Sequence, residues 1–194
     1  MVEEGTEASW FVTHEFNMMV DFCVWVLERD GLTVAPFDRY AGGTGEARTQ
    51  GLDADKWRAW LTAVVAREVA RPSPMAQVLP PATWSGEPAV GAVLASLWDQ
   101  YLPLFNDRPG QQLDSADPPQ LDEPRRFWDA LAPYRTRIPP LTLFLVGYAW
   151  PVDYLVPPAA AVLGVGDSDN AHATFATFAE RAVRIAAELA QATR

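Results

Sequence analysis

The chain has 194 residues and a formal net charge of −10, with 49% hydrophobic and 21% charged residues. That length and hydropathy point to one globular domain, residues 1–194, which can bury its own core, with residues 1–9 as a flexible N-terminal tail. A polyanion of this size is repelled by phosphate backbones and by anionic lipid, so neither nucleic acid nor membrane is the expected partner.

Cys23 is the single cysteine, which leaves no intrachain disulfide. It lies in the apolar run Val20 to Leu27 and reads as a small core residue rather than a reactive thiol. The N-terminus carries Glu3, Glu4 and Glu7 and no basic residue, the wrong charge for a secretion signal. Asp21 and the later prolines interrupt every apolar run short of a membrane span, so the expected location is the cytoplasm.

In chain order, the first predicted helix runs from His14 to Arg29 with Thr13 as N-cap and Asp30-Gly31 as its end. Its apolar residues cover nearly every side, the mark of a central helix. A long connection, Leu32 to Leu52, leads to a second helix that starts at Asp53 and stops at Arg71-Pro72. Its stripe of Trp57, Trp60, Leu61, Val64, Val65 and Val69 has helical spacing. Pro72 to Pro88 reads as an extended linker. A third helix is expected over Pro88 to Tyr101. Asn106 to Gln120 is a polar loop, and Asp122 caps a short fourth helix with Phe127, Trp128 and Leu131 on its apolar face. Leu141 to Val146 and Val152 to Val156 read as two strands of a hairpin, with a third short strand at Ala160 to Val165. The last helix is expected from Asp169 to Ala192. The fold class is therefore α+β, mainly helical: about five helices around a core with one short β-hairpin or small antiparallel sheet.

Two histidines, one cysteine and no paired spacing give no metal signature, and no cofactor motif is present. Asp167-Ser168-Asp169-Asn170 lacks the glycine and distal glutamate of a calcium loop and reads as helix capping. The segment Gly42-Gly43-Thr44-Gly45-Glu46-Ala47-Arg48 is the main candidate for a ligand site. Glycine backbone can form a concave anion nest, and Arg39, Gly43, Gly45 and Arg48 would supply it. It has neither the Gly-Lys-Ser/Thr ending of a phosphate loop nor the strand and third glycine of a dinucleotide fingerprint. His14 and Asp38 could complete such a site if the fold brought them to Arg39 and Arg48. Trp84 and Trp150, in Pro-containing irregular stretches, are candidates for partner contact.

The phrase Pro36-Phe37-x-Arg39-Tyr40, Gly43-x-Gly45-x-x-Arg48-x-x-Gly51-Leu52, Trp57-x-x-Trp60-Leu61, with Tyr154-x-Val156-Pro157-Pro158, resembles stretches of uncharacterised bacterial proteins. The resemblance covers about a third of the chain and implies a bacterial origin without naming any chemistry.

With no assembled catalytic motif, many aromatics and Pro-rich loops, the reading is a non-catalytic, protein-binding component of a bacterial intracellular assembly. Two alternatives stand beside it: a small anionic-ligand binder or enzyme using the Gly42–Arg48 loop, and an acidic immunity-type protein that neutralises a basic partner.

Overall fold

The computed structural model describes residues 10–37, 49–70, 88–106, 122–146, 153–164 and 175–193. The chain is mainly helical α+β, with five α-helices and a four-stranded sheet among these residues.

Strand β1 (Val12–Phe16) opens the fold and helix α1 (Met18–Asp30) follows at once. The expected helix start at His14 is corrected here: His14 to Phe16 pair in parallel with β2 (Leu141–Val146), and the N-cap is Asn17, not Thr13. Asn17 has extended backbone, and its side-chain oxygen accepts from the backbone N–H groups of Met19 and Val20, both at 3.1 Å. Asparagine is among the best caps, so the helix begins where its orphan donors find an acceptor. At the other end Gly31 takes a left-handed conformation (φ 60°), and Leu32 N–H returns to Leu27 O.

Helix α2 (Ala54–Ala70) is capped as expected by Asp53, which accepts from Asp55 and Lys56 N–H. Helix α3 (Pro88–Asn106) runs past its expected end at Tyr101 and through Pro103. An interior proline costs about 3 kcal/mol; continuing the helix buries Phe105 against Tyr101, with ring centroids 5.7 Å apart. Helix α4 (Asp122–Leu131) leads through a single 3-10 turn, Ala132–Tyr134, into β2.

The sheet order is β1-β2-β4-β3, where β3 is Asp153–Val156 and β4 is Ala160–Gly164. β1, β2 and β4 are parallel and β3 is antiparallel to β4. The expected hairpin of Leu141–Val146 with Val152–Val156 is thus replaced by a β3–β4 hairpin, turned at Pro157-Pro158, with β4 inserted beside β2. β2 is apolar on both faces because both are covered. Leu141, Leu143 and Leu145 enter one core with Ala161 and Leu163, while Phe144 and Val146 enter the other with Ala160 and Val162.

Helices α1, α2 and α3 fill the second of these cores, and α4 and α5 (Phe175–Ala192) the first, giving three layers. Residues 169–174, where the last helix was expected to begin, lie outside the described residues. No described helix is long and apolar enough to cross a membrane. Cys23 is fully buried, and that burial pushes its thiol well above its ordinary value, against a smaller opposing pull from Arg67.

Candidate functional site

The ligand candidates Arg39, Gly43, Gly45 and Arg48, with Asp38, lie outside the described residues, as do the partner candidates Trp84 and Trp150. The backbone of His14 sits in β1, three residues before the N-cap Asn17 of α1. What the structure describes is the frame around the glycine-containing loop. Asp30, fully buried at the end of α1, accepts from Thr49 N–H at 2.7 Å and from Arg29 at 2.7 Å. Thr49 Oγ1 is buried with no hydrogen-bond partner among the described residues. Phe37 packs its ring against Trp57 and Tyr154, with centroids 5.8 and 5.7 Å away. Both ends of the connection are therefore anchored in the core.

In sheets with parallel strands, ligands favour the crevice beyond the carboxyl ends of the strands. Among the described residues, the protein's own groups stand at the ends of β1 and β4. At the β1–α1 junction, Asn17 caps the helix and its Nδ2 donates to Glu68 at 3.2 Å, while Arg67 holds the other Glu68 oxygen at 2.6 Å. The positive end of α1 thus faces an internal carboxylate. One turn further, the buried Asp21 accepts a 2.6 Å bond from Tyr101 Oη, inside a cluster formed by Phe22, Trp25, Trp98 and Phe105. At the end of β4, Arg181 donates to Asp153 at 2.6 Å and to Gly164 O at 3.1 Å, and Arg184 binds the second Asp153 oxygen. These contacts tie α5 to the β3–β4 hairpin. Burial raises the Tyr154 phenol above its usual range, opposed by Arg58. Among the described residues no three His, Cys, Asp or Glu side chains gather as metal ligands.

A different surface combines exposure with recognition chemistry. Among the described residues β1 is an edge strand, and the residue before it, Phe11, is 48% exposed. Trp10 shares its indole N–H between Ile138 O and Pro139 O, each at 3.0 Å, which fixes the ring beside α4. Trp128 meets Trp10 edge to face at 6.5 Å. The Arg135 guanidinium lies over both rings, 5.9 Å from Trp10 and 5.4 Å from Trp128, and donates to Trp128 O. Arg125, Arg126, Arg135 and Arg137 are all exposed, and residues 125–140 hold these four arginines against one acid, Asp129. Sequence reasoning missed this patch because it averaged charge over the chain. The signal was present in Arg125-Arg126 and Arg135-x-Arg137 within an otherwise acidic sequence.

Comparison with known proteins gives no match: no family model, no curated protein and no solved structure aligns with this chain.

Proposed function

We propose that the protein is a non-catalytic, protein-binding component of a bacterial intracellular assembly, and that it meets its partner along β1 and the Trp10–Trp128–Arg135 surface. The observation that carries this reading is the exposed Phe11 leading into an edge strand beside an Arg-capped pair of tryptophans. An open strand edge offers a ready backbone ladder to another chain. Tryptophan and arginine are the residues most enriched where binding energy concentrates. The internal pairing of Asp21, Glu68, Asp153, Arg67, Arg181 and Arg184 supports a structural rather than catalytic use of these groups.

The test places a photoreactive amino acid at position 11 and cross-links in the native host. A defined protein partner is expected, and it should disappear with Arg135→Glu, a substitution at an exposed position, with the variant's melting temperature measured alongside. No cross-linked protein above background, or a pattern that Arg135→Glu leaves unchanged, would defeat the proposal.

A further inference from the structure

We infer that the partner presents an acidic, extended segment that adds as a strand to the outer edge of β1 and meets the arginines beside Trp10 and Trp128; this rests on the protein-binding reading above. Two independent observations converge on that chemistry.

The first is backbone direction. Phe11 O accepts from Leu141 N–H at 3.0 Å, so the backbone groups of Phe11 face β2. Alternation along the strand then turns those of Val12 and His14 to the outer edge. An incoming extended chain can match this spacing.

The second is charge. The chain carries −10 overall, yet Arg135 is exposed over Trp10, which leads into β1, and over Trp128, and residues 125–137 add exposed Arg125, Arg126 and Arg137 against the one acid Asp129, after Asp122 and Glu123 at the start of α4. Arg135 is held over two indole rings, which fixes its position before any ligand arrives. Pre-ordered guanidinium groups pair with carboxylates bidentately and lose little freedom in doing so. The partner's local charge is therefore negative, the reverse of what the whole-chain charge suggests. A peptide fits better than a nucleic acid, because only a peptide can use the outward N–H and C=O groups of β1, and a long polyanion is repelled by the remainder of the molecule.

The experiment uses the full chain and a fluorescein-labelled probe peptide of alternating Glu and Val, with a Lys/Val counterpart, followed by fluorescence anisotropy. The acidic probe should bind and the lysine probe should not, with affinity falling as salt rises. Arg135→Glu and Arg137→Glu should each weaken the acidic probe by about tenfold or more, whereas Arg58→Glu, a charge reversal at a half-buried position on α2, should leave it unchanged. Equal binding of the two probes, no binding of either, or equal losses at Arg58 and Arg135 would overturn the inference. Binding that appears only after Glu3→Gln, Glu4→Gln and Glu7→Gln together would also overturn it, assigning the patch to the chain's own N-terminal segment. Arg135-dependent binding of single-stranded oligothymidine, tighter than that of the acidic probe, would overturn it in favour of nucleic acid. Should the acidic probe fail while the position-11 cross-link still captures an Arg135-dependent protein, the protein-binding reading stands and the acidic strand alone falls.

Discussion

Tyr101→Phe isolates one hydrogen bond in the middle of the α1–α3 interface. Tyr101 is fully buried and Asp21 is 2% exposed. The phenol lies 2.6 Å from Asp21 Oδ2 and 3.2 Å from Met18 O, so its single proton goes to the shorter, charged acceptor. The substitution deletes one oxygen and leaves the ring contacts with Phe22, Trp98 and Phe105 in place. A hydrogen bond to a charged group contributes about 1.5–3 kcal/mol, and its loss from a buried carboxylate reaches the upper part of that range. For a chain of this size each kcal/mol moves the melting temperature by about 2–4 °C, so the expected shift is roughly 3–12 °C downward. Urea unfolding followed by tryptophan fluorescence measures the same loss at constant temperature. Pairing it with Asp21→Asn in a double-mutant cycle separates the bond from the isolated effect of each change. A Tyr101→Phe protein within about 0.5 kcal/mol of the parent, or a cycle with no coupling, would refute the assignment of this bond as an anchor of α1.

Asn17→Ala removes the cap of α1 and the contact to Glu68, and should cost about 1–2 kcal/mol in chemical denaturation; Asn17→Asp, which keeps the cap but sets a second carboxylate beside Glu68, should recover only part of it. Cys23 should resist alkylation in the folded protein and react on unfolding, and rapid native labelling would contradict its burial. Because folding raises the thiol's ionisation point, the unfolded chain loses its proton first. Stability should therefore hold below about pH 8.5 and fall as pH rises beyond it, a slope that Cys23→Ala should reduce. Asp153→Ala should destabilise the chain more than Arg184→Gln, since Asp153 serves two arginines and Arg184 is half exposed; equal effects in thermal melts would argue against a clamp between α5 and β3.

Much of the helical part was legible along the chain. The spacing of Trp57, Trp60, Leu61, Val64 and Val65 marks the buried side of α2, and all five are core residues, whereas Val69, expected in the same stripe, is 41% exposed near the helix end. Asp53 as cap and Gly31 as terminator are local chemistry, decided by one side-chain oxygen and one left-handed residue. His14 to Phe16 misled because their apolar neighbours continue into α1. Strand and helix periods overlap over so short a run, and only the pairing with β2 separates them. The loop of Arg39 to Arg48, expected as a ligand site, lies outside the described residues, and the surface proposed above for a partner is built from residues 10, 11, 128 and 135. Its two halves, residues 10–11 and residues 128 and 135, are separated by more than a hundred positions and meet only through the fold.

What local sequence decided, then, is the set of helices, their caps and the buried side of each, because periodicity and capping act within a turn or two of the chain. Strand partners were decided elsewhere. Leu141-Thr-Leu-Phe-Leu-Val146 is equally suited to several neighbours, and its place between β1 and β4 follows from having helices to cover on both sides. The same holds for charge. Composition sets −10 for the molecule as a whole and local sequence groups Arg125, Arg126, Arg135 and Arg137, whereas only tertiary packing brings Trp10 beneath Arg135, since the two lie 125 positions apart and meet through the contact of the β1 end with the segment before β2.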